Sequence, residues 1–158
     1  MSAQDELPLA LRAAYLTLHR LSDARFAEFG VTADQFVLLA TLARGQALTQ
    51  RELAVRMTSD PSTVRAMLVL LEKSQLVKRD THPTDARART VCLTAAGRRV
   101  FQQLWKAGDS LRASMIQSLQ PGEAELLVDF LRRLSSSLNS ERLTEDPPTI
   151  NTAVEVRT

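Results

Sequence analysis

Apolar residues in the first part of the chain recur at helical spacing. Leu7, Leu11, Ala14, Leu18 and Leu21 form one stripe, Tyr15 and Leu16 widen it, and Phe26 and Phe29 extend it. The pattern predicts an amphipathic helix over residues 7–29, stopped by Gly30. Thr32, with Gln35 three residues on, forms a capping box for a second helix. That helix has Phe36, Leu39, Leu42 and Ala43 on its apolar face and ends at Gly45. Thr49 with Glu52 repeats the capping signature before a short third helix, whose Leu53, Ala54 and Met57 face inward. Thr58-Ser59 is a tight connection. Asp60 then caps a fourth helix and Pro61 sits in its first turn, where a missing N–H costs nothing. Val64, Met67, Leu68 and Leu71 are its inner face.

After Leu76 the period changes. Leu76-Val77-Lys78-Arg79 and Arg89-Thr90-Val91-Cys92-Leu93 are β-prone runs flanking a polar stretch from Asp80 to Ala88, a hairpin with a long loop. Thr94 caps another long helix, over about 95–118. Val100, Leu104, Leu111 and Met115 share one face of it, with Phe101 and Trp105 beside them. Pro121 opens a last helix, in which Leu127, Phe130, Leu131, Leu134 and Leu138 fit an a/d-like seam. Residues 144–158 contain Asp146-Pro147-Pro148 and no apolar face, and read as a mobile tail.

Composition narrows the class. With 44% hydrophobic and 24% charged residues, the 158-residue chain fits one globular domain. Aromatics are only 4%, so the core is built of Leu, Val and Ala. No apolar run approaches the roughly 18 residues of a membrane span, and no signal-peptide pattern opens the chain. The single Cys92 forms no intrachain disulfide, which points to the cytoplasm. One Cys and two His leave no basis for a Cys/His zinc site. The net charge of +2 conceals an uneven distribution: residues 51–99 carry +5, leaving −3 on the rest. A basic middle between acidic ends suits a polyanion.

The basic middle also has a motif. Two helices, 49–57 and 61–73, joined by a three-residue turn make a helix-turn-helix, in which the second helix enters a DNA major groove. The hairpin that follows is a wing, and Arg87 with Arg89 near its tip suits a narrow minor groove. Leu48-Thr49-Gln50-Arg51-Glu52-Leu53-Ala54, Pro61-Ser62-Thr63-Val64 with Leu71-Glu72-Lys73, Leu76-Val77-Lys78-Arg79, and Pro83-Thr84-Asp85-Ala86-Arg87 running into Leu93-Thr94 and Gly97 occur in this order. In these stretches the sequence resembles the MarR family of winged helix-turn-helix regulators, over residues 7–140.

The resemblance implies a mainly α fold with a two-stranded β wing. It implies a helical dimerisation region (7–30 and 95–143) around a DNA-binding region (31–94). It implies a homodimer on a pseudo-palindromic operator in double-stranded DNA, released by a small, often aromatic and anionic, ligand. In the family's wing element, which Asp85 and Arg87 match, the acid orients a nearby Arg and the Arg contacts DNA. The family pattern is broken at three places. The recognition helix reads Val64-Arg65-Ala66 where Val-Thr-Arg is frequent. Val69 and Leu70 stand where polar residues are usual, and Gln75 stands where a glycine is usual.

The DNA-binding candidates are therefore Gln50, Arg51, Ser62, Thr63, Arg65, Ala66, Arg79, Asp85, Arg87 and Arg89. Each has a plainer reading as part of a solvated helix start or strand, and Arg89 has a possible partner in Asp85 or Asp80. Tyr15, His19, Arg20, Phe36, Phe101 and Trp105 are candidates for an effector pocket suited to a phenolic or aromatic carboxylate, or are core. Cys92 is either an oxidant-sensing thiol or a small packed strand residue. No Gly-rich phosphate loop, Gly-x-Ser-x-Gly or paired metal ligand is present, so neither enzyme activity nor a cofactor is expected. The expected function is a repressor that reads DNA. The rivals are an oxidation-sensing regulator acting through Cys92 and a dimeric ligand- or protein-binding module that does not bind DNA.

Overall fold

A computed structural model describes residues 2–44 and 47–144. The elements run α1 (Ala3–Phe26), a 3-10 turn (Ala27–Phe29), α2 (Ala33–Ala43), β1 (Leu48–Thr49), α3 (Gln50–Arg56), α4 (Pro61–Lys73), β2 (Val77–Thr81), β3 (Arg89–Leu93), α5 (Ala95–Ala107), α6 (Asp109–Gln117) and α7 (Glu123–Thr144). The chain divides into one compact unit ending at Ser114 and a second from Met115 onward. Among the described residues no single helix is long and apolar enough to cross a membrane.

Local chemistry sets most helix starts. Thr32 Oγ1 accepts from the Gln35 N–H at 3.1 Å while Gln35 Oε1 accepts from the Thr32 N–H at 3.0 Å. Thr49 and Glu52 form the same reciprocal pair. The expected first helix begins earlier, at Ala3, because Asp5 accepts from both the N–H and the hydroxyl of Ser2. It also ends earlier: Ala27–Phe29 tightens to a 3-10 turn before Gly30, at φ 66°, closes it. Gly45 and the tail beyond Thr144 lie outside the described residues.

The wing gains a third strand. Leu48–Thr49 pairs antiparallel with β3, giving the order β1-β3-β2. Leu48 stands opposite Val91 and Thr49 opposite Thr90, while β2 pairs from Val77 opposite Leu93 to Thr81 opposite Arg89. Burial of Leu48 and Val91 against the helices holds this short pairing. In the core of the first unit, Leu38, Leu39, Leu53, Leu68, Leu71 and Leu104 are fully buried.

The helix expected over 95–118 is two helices. Gly108 interrupts it, and the break is braced on both sides. Arg25 donates to the Ala107 carbonyl and the Ser110 hydroxyl, and Arg112 donates to the Trp105 carbonyl and Asp109. The Arg112 guanidinium also lies 4.0 Å from the Trp105 ring centroid, a cation–π contact. In the second unit α7 starts at Glu123, not at Pro121. Gly122, at φ 87°, turns the chain, and the Glu123 carboxylate accepts from the Gln120 N–H at 2.8 Å.

The expected stripe on α1 is present but uncovered: Leu7, Leu11, Leu18 and Leu21 are exposed. So, within the second unit, are Leu127, Phe130, Leu131 and Leu138 of α7.

Candidate nucleic-acid interface

Helices α3 and α4 are joined by a turn in which Thr58 adopts φ 51°, a left-handed conformation uncommon for a β-branched residue. Hydrogen bonds hold it there: the Thr58 N–H donates to the Val55 carbonyl at 3.1 Å and the Ser59 N–H to that of Ala54 at 2.9 Å. Gln50 Nε2 donates to the Pro61 carbonyl at 3.3 Å, tying the start of α3 to the start of α4. Gln50 thus serves the turn directly.

The inner face of α4 is the expected one: Val64, Met67, Leu68 and Leu71 are buried. At 3.6 residues per turn the opposite face then carries Ser62, Ala66, Val69 and Lys73, flanked by Arg65 and Leu70, all exposed. At the N-terminus, Asp60 accepts from the hydroxyls of Ser62 and Thr63 and from the Thr63 N–H at 2.9 Å. The two hydroxyl protons that sequence reasoning offered to DNA are therefore held by the cap.

These bonds, the Ser62 hydroxyl first and Thr63 next, hold the Asp60 carboxyl far below its ordinary value. A depressed carboxylate stabilises the fold fully above the unfolded value of 3.8 and loses that contribution as pH falls through the folded value. Asp60→Asn removes this dependence. Melting temperatures measured from pH 6 down to 2 are expected to fall more steeply below pH 4 for the parent than for Asp60→Asn. Parallel curves would show that the cap does not depend on the charge.

The wing is built on β2 and β3, with residues 82–88 as its tip. The His82 N–H donates to the Ala88 carbonyl at 3.0 Å, and His82 Nδ1 accepts from the Thr84 N–H at 3.2 Å. Among the described residues Asp85 holds no guanidinium. Its Oδ1 accepts from the backbone N–H of Arg87 at 2.9 Å, and its carbonyl accepts from Ala88 at 3.1 Å. It shapes the tip and leaves the Arg87 side chain outside. Nor does Arg89 pair with Asp80, which Lys78 holds at 3.3 Å.

Arg79 differs from the other candidates. Its Nε donates to Glu72 at 3.1 Å, half-buried, and ties β2 to the end of α4. Among the described residues, Arg51, Arg65, Arg87 and Arg89 are exposed with no carboxylate at ion-pair distance. Cys92 is half-buried, and its Sγ donates to Asp80 at 3.8 Å. Lys78, opposite Cys92 in the strand register, holds the same Asp80 oxygen at 3.3 Å.

A second joint fixes the wing to the end of α4. Gln75 ends α4 at φ 58°, in the left-handed conformation a glycine would take more easily. Thr94 Oγ1 donates to the Gln75 carbonyl at 2.7 Å and the Thr94 N–H to that of Leu76 at 3.1 Å. Gly97 follows, packed against Leu76.

The six candidate effector residues do not converge. Phe36 stacks on Phe101 and Trp105, with ring centroids 5.9 and 6.3 Å away. A groove of about 360 Å³ beside them is lined by Ala40, Ala43, Arg44, Phe101, Gln102 and Trp105. Tyr15 and Arg20 are exposed on α1 and do not line that groove. His19 bridges Asp23 at 3.3 Å and Asp34 at 3.4 Å, joining α1 to the start of α2. Sequence reasoning missed Ala40, Ala43, Arg44 and Gln102, whose only signal is their place at helical spacing beside the aromatic residues.

Residues 31–88, which contain the helix-turn-helix and most of the wing, match the model of the MarR family. The transcriptional regulator HosA of Escherichia coli O111:H- is 28% identical over 107 residues, 68% of this chain and 79% of HosA. The helix-turn-helix and wing of this chain are thus similar to a MarR-family domain. Solved structures that share this fold include the following two. A Staphylococcus aureus MepR–DNA complex superposes with a TM-score of 0.74 at 23% identity, over 82% of this chain and 96% of that one. CouR from Rhodococcus jostii RHA1 bound to p-coumaroyl-CoA gives 0.76 at 22% identity, over 85% and 94%.

Proposed function

We propose that this chain is a MarR-family transcriptional regulator that acts as a homodimeric, sequence-specific DNA-binding repressor in the cytoplasm. Residues 31–94 form the DNA-binding region. Residues 7–30 and 95–143 form the dimerisation region, where a second copy covers the exposed leucines of α1 and those of α7. The observation that carries the reading is the exposed outer face of α4 beside a wing whose Arg87 and Arg89 have no carboxylate partner among the described residues. Arg65, Ala66 and Ser62 face the major groove, Arg87 and Arg89 reach the minor groove, and Arg51 meets phosphates. The MepR–DNA complex supports this use of the fold.

A small aromatic anion is the proposed effector. The groove at Phe101 and Trp105, with Arg44 at its edge, supplies a flat apolar wall and one cation. A ligand that favours a dimer with its recognition helices wrongly spaced releases the duplex, because half-sites lie about one helical turn apart, ~34–36 Å. CouR, bound to p-coumaroyl-CoA, supports an aromatic ligand.

The test is fluorescence anisotropy with duplex from the gene's own upstream region at several salt concentrations. Expected is a dissociation constant of about 10⁻⁸ M or tighter near physiological salt, weakening steeply as salt rises. Binding that stays at the non-specific level of ~10⁻⁴–10⁻⁶ M on that duplex and on selected sequences alike would sink the repressor reading.

A further inference from the structure

The outer face of α4 has a property that DNA binding in general does not require. Its middle is apolar. Val69 and Leu70 are each 54% exposed, and Ala66 lies one turn before them, also exposed. These side chains contribute nothing to the core, which is filled by Val64, Met67, Leu68 and Leu71 on the opposite side. Hydrogen-bonding groups are sparse on the same face. The hydroxyls of Ser62 and Thr63 donate to Asp60, which leaves Arg65 and Lys73 as the free donors at the two ends.

An exposed apolar stripe invites a partner, and the charge around it selects which one. Arg65 and Lys73 flank the stripe on α4, Arg51 stands at the start of α3, and residues 51–99 carry a net +5. That rim suits a polyanion, so the occupant must be apolar where it meets Val69 and anionic around it. A DNA major groove meets both conditions only where thymine is present. The thymine C5-methyl is the one apolar group on a major-groove base edge, and phosphates border the groove.

We propose that this helix reads its operator largely through thymine methyl groups, with Val69 as the main specificity-determining residue and Ala66 and Leu70 beside it. Arg65 supplies the polar contact. The proposal rests on the DNA-binding reading above. It also accounts for the departures from the family pattern at Ala66, Val69 and Leu70, since polar side chains there would read donors and acceptors instead.

The test removes the methyl group and nothing else. Binding sites are selected from a random duplex library with the full-length protein. The selected duplex is then remade with deoxyuridine in place of each thymidine in turn. Expected is at least one position per half-site where uracil weakens binding about fourfold, the value of one buried methyl, and more than tenfold when both halves are changed. At that position Val69→Ala is expected to bind the thymine and uracil duplexes alike. Val69 is exposed, so the variant folds.

Equal binding of thymine and uracil duplexes by the parent protein would overturn the inference and leave the DNA-binding reading standing. So would a preference for thymine that survives both Val69→Ala and Leu70→Ala. A selection that enriches no sequence would overturn both readings together.

Discussion

Gly97→Ala is expected to lower the stability of the unit ending at Ser114 by about 3 kcal/mol, although the change adds a single methyl group. A Cβ on Gly97 would stand 1.9 Å from the Leu76 carbonyl oxygen and 2.9 Å from its carbon. Both are backbone atoms, so no side-chain rotation relieves the clash. That carbonyl also accepts from the Thr94 N–H at 3.1 Å and the Thr94 hydroxyl at 3.3 Å. Moving it away weakens both bonds. Overpacking of this kind costs about 1–3 kcal/mol and each hydrogen bond about 1 kcal/mol. Thermal unfolding followed by circular dichroism should show a melting temperature lower by about 10 °C. An unchanged melting temperature would mean that α5 docks on Leu76 more loosely than this geometry requires.

The second large effect is expected in binding. Arg87→Ala in both protomers removes two guanidinium groups from each bound dimer. Charge-assisted hydrogen bonds contribute about 1.5–3 kcal/mol each, so affinity should fall about a hundredfold or more. The slope of log K against log salt should shrink by about 2, one unit for each guanidinium that no longer displaces a counterion from the minor groove. The Arg87 side chain is exposed, and the tip's hydrogen bond to Asp85 uses its backbone N–H. The wing should therefore keep its shape in the variant, and melting should be unchanged. Arg79→Ala makes the contrast. Arg79 is engaged with Glu72, so its removal should leave the salt slope nearly intact. A slope that drops equally for both variants would mean that Arg79 leaves Glu72 when DNA arrives.

What the sequence revealed and what it concealed divide by range. The caps at Thr32, Thr49, Asp60 and Thr94 are local, each closing on a residue three positions on, and all four are legible without a structure. The inner face of α4 is legible for the same reason. The pairing of Leu48–Thr49 with β3 was not, because two residues carry no periodicity and the partner lies more than forty positions away. The break at Gly108 was concealed by an apolar pattern that continues through it; the Arg25 and Arg112 braces come from side chains that the pattern ignores. Arg79 is a DNA-binding candidate in the sequence, at the end of the family-like stretch Leu76-Val77-Lys78-Arg79, where nothing signals its pairing with Glu72. Its ion pair spans a helix and a strand, and only the turn at Gln75 brings the two together. The groove at Phe101 and Trp105 depends on how α2 packs against α5, which no local signal fixes.

The shared strand β3 also determines where this protein tolerates change. Thr90 stands opposite Thr49 on one side and Asp80 on the other, so one residue sets the position of both the α3 cap and the wing. An insertion of one residue within β3 would exchange its inward and outward side chains and misplace both neighbours at once. The tip at residues 82–88 has no such double duty. Lengthening that loop or changing its charge therefore leaves β3 and α4 in their places. The molecule offers one surface for rewriting and one rail that must be copied unchanged.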